Sequence, residues 1–199
     1  RTPKGYRVRD MVADLHALRA AAAFDDRPAL LVGNSFGGLL AVSYALAHPK
    51  AVAGVALVDG QLADAAWANE MRATLELEGA ERDRMIAESF KAWLGRHSER
   101  KRTRLARTAS ELVYRTSLVP DLIDSELTTD QRLRTLDVPA LGIYGADSDA
   151  LRHGERMAAV VDGFELRRYP GCTHSVLWER TEKVKAELAS WIAARAGGC

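Results

Sequence analysis

A run of four apolar residues, Ala29-Leu30-Leu31-Val32, passes directly into Gly33-Asn34-Ser35-Phe36-Gly37-Gly38 and then into an Ala- and Leu-rich stretch ending at His48-Pro49. A short continuous apolar run closed by glycine reads as a parallel strand buried on both faces. The stretch from Leu39 to Ala47 reads as a helix, because proline disfavours helix at the residue before it. Strand and helix are therefore joined by a tight turn with Ser35 at its apex. Glycines at 33 and 37 suit such a turn, where a Cβ two residues from the serine would crowd the backbone. The turn lifts Ser35 Oγ clear of the sheet and sets it at a helix N-terminus. Free N–H groups and the helix dipole favour developing negative charge there, and Phe36 N–H is the first donor in line.

The rest of the chain extends this pattern. Val8, Met11, Val12, Leu15, Leu18 and Ala22 recur at helical spacing, and Val55-Ala56-Leu57-Val58 forms a second buried strand. Residues 8–58 thus alternate helix, strand, helix, strand, the signature of a parallel sheet. From Gln61 to Arg134 the pattern becomes helical and charged, with Trp67, Met71 and Leu75 four apart and Phe90, Trp93 and Leu94 further on. Alternation then resumes with strands at 140–144 and 164–169 and helices near 154–161 and 182–194. The expected organisation is a core segment at 1–60, a helical insertion at 61–134 and a second core segment at 135–199.

Leu31-Val32-Gly33-Asn34-Ser35-Phe36-Gly37-Gly38, His48-Pro49 and Val55-Ala56-Leu57-Val58-Asp59 together resemble the α/β-hydrolase superfamily. The resemblance implies an α/β fold with a mostly parallel sheet flanked by helices, of which only the late strands are counted here. It also implies that residues 61–134 form the helical cap many members carry. The implied order is nucleophile, acid, histidine, with the last two on loops after late strands. Pro170-Gly171-Cys172-Thr173-His174 follows a strand and resembles the family's histidine segment, so His174 is the expected base beside the nucleophile Ser35, with Phe36 N–H in the oxyanion hole. His16, His48, His97 and His153 read as structural or solvated.

The acid is less clear in the sequence. The usual Gly-x-x-Asp spacing from Gly145 falls on Ser148, a departure from the family. Gly145-Ala146-Asp147-Ser148-Asp149-Ala150-Leu151 resembles a longer variant, so Asp149 is preferred, with Asp147 as the lesser choice and a turn former otherwise. Asp59 is a third candidate, although Val58-Asp59-Gly60 reads more simply as a turn.

The expected activity is cleavage of a carboxylic ester or thioester through a Ser-His-Asp triad and an acyl-enzyme, without cofactor or metal. The alternatives are hydrolysis of carbon–carbon bonds in ring-cleavage products, which Gly-Asn-Ser-Phe-Gly-Gly also resembles, and a non-catalytic ligand-binding protein on the same fold. With 28 Lys+Arg against 27 Asp+Glu, no net field draws the chain to nucleic acid or an anionic membrane, and a small apolar acyl substrate fits better. The basic run Glu99–Arg107 lacks aromatic interleaving and reads as a solvated helix face. Two cysteines make no disulfide framework, Cys172 reads as a buried thiol, and a cytoplasmic setting is expected. The family's first half, with a second oxyanion donor, should precede Arg1. The strand at 29–32 would otherwise be an apolar edge, so a longer polypeptide or another chain is expected to complete the sheet.

Overall fold

The computed structural model describes residues 2–22, 27–85 and 99–196, and Phe90, Trp93, Leu94 and His97 lie outside them. Four strands, β1 (Ala29–Asn34), β2 (Val52–Val58), β3 (Ala140–Gly145) and β4 (Glu165–Tyr169), form one sheet in the order β1-β2-β3-β4. Every pairing is parallel. These are the four strands expected, the first three from their apolar runs and β4 from the resumed alternation of strand and helix. Among the described residues β1 pairs on one side only, and Val32 is 48% exposed there.

Among the described residues the α-helices are α1 (Val8–Ala21), α2 (Phe36–Ala47), α3 (Ala65–Leu75), α4 (Glu99–Arg115), α5 (Leu118–Ile123), α6 (Asp130–Leu133), α7 (Leu151–Val160), α8 (Val176–Glu179) and α9 (Thr181–Ala196). The chain divides into two compact units. Residues 12–62 and 128–199 carry the sheet, and residues 1–11 with 63–127 form a helical unit. The sequence reading grouped residues 1–11 with the sheet. Their backbone instead bonds within the helical unit: Tyr6 N–H donates to Asp121 (2.9 Å), Val8 N–H to Ser125 Oγ (3.1 Å) and Ser117 N–H to Pro3 O (2.9 Å). Hydrogen-bond partners so distant in sequence leave no local trace in periodicity. In the same unit, Asp64 caps α3 by accepting from Trp67 N–H at 2.8 Å, an arrangement worth about 1 kcal/mol.

Side chains alternate across each strand, and the two faces of the sheet bury different partners. Ala56, Val58, Leu141 and Ile143 pack with Val184 and Trp191 of α9 and with Cys172 and Val176. Cys172 is thus a fully buried free thiol, as its context suggested. On the other face α2 packs against β1 and β2. Its Gly38 sits so close that a Cβ there would fall 2.6 Å from Gly60 Cα. In the helical unit Thr103, Arg104 and Arg107 of α4 are exposed, in keeping with a solvated face. No helix among the described residues is long and apolar enough to cross a membrane.

At the far end of α2, His16 and His48 stack with ring centroids 3.9 Å apart and planes within 2°, while His16 Nδ1 lies 3.0 Å from Tyr44 Oη. Burial, and secondarily the neighbouring His16, hold His48 below its ordinary value of 6.5. The folded state therefore takes up this proton less readily than the unfolded chain. The stability it contributes is present above the unfolded value and is lost as pH falls through the depressed one. His48→Gln should accordingly flatten the loss of urea resistance between about pH 7.5 and 5.5. Parallel curves for variant and wild type would contradict this.

Candidate active site

The site is built at the carboxyl ends of the parallel strands, where side chains leaving neighbouring strands converge. β1 delivers Ser35 in a strained conformation, φ 51° and ψ −121°, just ahead of α2. The backbone around it is locked: Ser35 N–H donates to Val58 O (3.1 Å), and Gly38 and Gln61 N–H donate to Ser35 O (2.9 and 3.1 Å). Asn34 Nδ2 adds a bond to Val58 O at 2.7 Å. A Cβ on Gly33 would lie 2.2 Å from Gly37 O, so glycine is obligatory there. Gly37, expected to be equally constrained, has open space where its Cβ would be. The second steric requirement falls on Gly38, because helix and strand approach most closely one residue later. Phe36 opens α2, so its N–H belongs to the first helical turn, whose donors need no intrahelical acceptor.

The loop after β4 delivers His174. Glu179 anchors this loop by accepting from Thr173 N–H (2.8 Å) and Thr173 Oγ1 (2.9 Å), and Gly171 takes φ +67° to turn the chain. His174 Nε2 lies 2.9 Å from Ser35 Oγ across 139 residues of sequence. These two residues, the expected nucleophile and base, stand within hydrogen-bond reach of each other.

The acid does not stand where the sequence pointed. Asp59 Oδ2, and not a carboxylate oxygen of Asp149 or Asp147, lies 2.6 Å from His174 Nδ1. Asp59 directly follows β2, has φ +49° and is fully buried. The close pairing of β1, β2 and β3 sets it between the serine and histidine loops, and its N–H donates to Ile143 O at 2.7 Å. Asp147 and Asp149 are both exposed. The backbone N–H of Asp147 bonds Cys172 O at 2.9 Å. Asp149 acts on His174 only through its charge. The local signal that could have found Asp59 is the misfit at Gly145: the family spacing lands on Ser148, which cannot serve as the acid.

The electrostatics follow from these contacts. A carboxylate can only accept, so His174 carries its proton on Nδ1 toward Asp59, leaving Nε2 to accept from Ser35 Oγ–H. The hydrogen bond that His174 donates to Asp59, opposed by burial and assisted by the charges of Asp59 and Asp149, raises His174 above 6.5. Of the other histidines described, His153 is buried in α7 and His16 and His48 stack on each other.

A polarised serine at a helix N-terminus on a parallel sheet defines a class, and comparison with known proteins agrees with it. The chain belongs to the α/β hydrolase fold family, whose sequence profile matches residues 1–181. Among curated proteins it is similar to one from Cronobacter turicensis named "Putative carbamate hydrolase RutD", at 35% identity over 65 residues. That match spans 33% of this chain and only 24% of the relative. Among solved structures it resembles an esterase from Exiguobacterium antarcticum, with TM-score 0.72, 19% identity, and coverage of 96% of this chain and 76% of that one. A hydrolase from Pseudomonas aeruginosa gives TM-score 0.71 at 23% identity, covering 96% and 74%. At such identities these structures establish the shared fold.

Proposed function

We propose that this protein is a serine hydrolase that cleaves a carboxylic ester or thioester, with Ser35 as nucleophile, His174 as general base and acid, and Asp59 as the orienting acid. The observation that carries this reading is the unbroken hydrogen-bonded line from Ser35 Oγ through both ring nitrogens of His174 to the buried Asp59. Ser35 Oγ attacks the carbonyl carbon as Nε2 takes its proton, and Phe36 N–H faces the oxygen on which negative charge develops. The imidazolium, held by Asp59, then gives that proton to the leaving alcohol or thiol as the tetrahedral intermediate collapses to an acyl-enzyme. Water enters by the same base and releases the acid, regenerating Ser35. No step calls for a metal or an organic cofactor. The similarity to an esterase and to a protein named as a carbamate hydrolase is in keeping with acyl transfer.

The test is covalent labelling by a fluorophosphonate probe, with wild type labelled and Ser35→Ala unlabelled. Because only neutral His174 can accept the serine proton, and its proton affinity is raised, the labelling rate should fall as pH drops through a midpoint above 6.5. Absence of labelling, or equal labelling of Ser35→Ala, would favour a ligand-binding role for the fold.

A further inference from the structure

We propose that Ser148 is a positioning residue for the active-site acid: its hydroxyl holds Asp59 Oδ2 in line with His174 and moderates the pull of the carboxylate on the imidazole. This rests on the triad reading above. The buried Asp59 carboxylate takes three donors. Gly145 N–H donates to Oδ1 at 2.9 Å, while Ser148 Oγ (2.5 Å) and His174 Nδ1 (2.6 Å) both converge on Oδ2. Two of these contacts come from the last residue of β3 and the loop that follows it, so both carboxylate oxygens are held independently of the histidine.

The direction of the Ser148 bond follows from its neighbours. Ala150 N–H can only donate, and it points to Ser148 Oγ at 3.1 Å. The Asp59 carboxylate can only accept. The single hydroxyl hydrogen is therefore committed to Asp59. The loop that presents it is itself tied down by Ser148 N–H to Gly145 O (3.2 Å), Leu151 N–H to Ser148 O (3.2 Å) and Asp147 N–H to Cys172 O (2.9 Å). The last of these joins the loop to the segment that carries His174, so both loops share one frame.

A hydrogen bond to the charged form of a carboxylate stabilises that form and spreads its charge. Ser148 and His174 draw on the same oxygen. Removing the hydroxyl leaves Oδ2 richer in charge, so the imidazolium is held more strongly and the proton affinity of His174 rises. It also frees the carboxylate to rotate about its remaining anchor at Gly145. The bland reading is that Ser148 only closes a turn through Ala150 N–H. The two readings part on the pH profile, since a turn former has no direct hold on the imidazole.

The experiment is kcat/KM against pH for a fluorogenic ester, with thermal midpoints, for the full chain carrying Ser148→Ala, Ser148→Thr or Ser148→Cys. Ser148→Ala should lower kcat/KM about tenfold at its optimum and move the acid limb upward by up to about one pH unit. Ser148→Thr, which keeps the hydroxyl, should restore both. Ser148→Cys, with its weaker S–H donor, should move the limb the same way by less, and it supplies the reading where Ser148→Ala does not fold. An acid limb that stays at the wild-type position in Ala and Cys variants, with only the thermal midpoint lowered, would overturn the proposal. Activity that persists in Ser35→Ala and Asp59→Asn would instead overturn the triad reading beneath it.

Discussion

Asp59→Asn is expected to lower kcat by about 10⁴-fold, while Asp149→Asn and Asp147→Asn stay within a few-fold of wild type. Asparagine keeps the size of the side chain but can turn an N–H toward His174 Nδ1 or leave it a weaker acceptor. The imidazole then loses the tautomer in which Nε2 faces Ser35. The residue it replaces is fully buried and 2.6 Å from Nδ1, so no water can substitute for it. Asp149 is exposed and contributes charge alone, so its neutralisation should move the acid limb slightly downward. Steady-state kinetics with any turned-over ester separate the two carboxylates. A large loss in Asp149→Asn with a mild one in Asp59→Asn would show that the acid in solution is the one the loop sequence suggested.

Ser35→Ala is expected to be the more severe change, lowering kcat by about 10⁶-fold on the precedent of known serine hydrolases if the proposed function holds. The change removes the attacking oxygen and leaves only binding and electrostatic stabilisation. The strained backbone at φ 51° is held by bonds to Val58, Gly38 and Gln61, none of which uses the hydroxyl, so the fold should persist. Thermal unfolding within a few degrees of wild type, together with lost turnover, is the expected pair of results. Because triad members act as a unit, Ser35→Ala combined with Asp59→Asn should be little worse than Ser35→Ala alone.

Much of this site was legible because it is written in local chemistry. The turn around Ser35 shows itself through Gly33, whose absent Cβ leaves room for Gly37 O, and through the apolar strand and Ala/Leu helix on either side. Three of the four strands announce themselves as apolar runs, while β4, Glu165-Leu166-Arg167-Arg168-Tyr169, is marked only by its place in the alternation of strand and helix. His174 is marked by a strand end, a turn-forming glycine and a following helix, all within about a dozen residues. Each of these depends on neighbours in the chain, and hydrophobic periodicity and turn chemistry are local properties.

The choice of acid is different in kind. Three aspartates end or follow strands, and the misfit at Ser148 counts against the loop after β3 without saying which of the three meets an imidazole 115 positions from Asp59. That was decided by the parallel register that sets β2 between β1 and β3, and by the end of β3 and the loop after it presenting Gly145 N–H and Ser148 to Asp59. The steric role of Gly38 rather than Gly37, and the attachment of residues 1–11 to the helical unit, arise in the same way, from segments that meet only after folding. The sequence by itself determined the parallel sheet and the turn at Ser35, and it singled out His174 as the candidate base. Tertiary structure alone decided that Asp59 completes the line, because a buried carboxylate is selected by the donors that surround it in space.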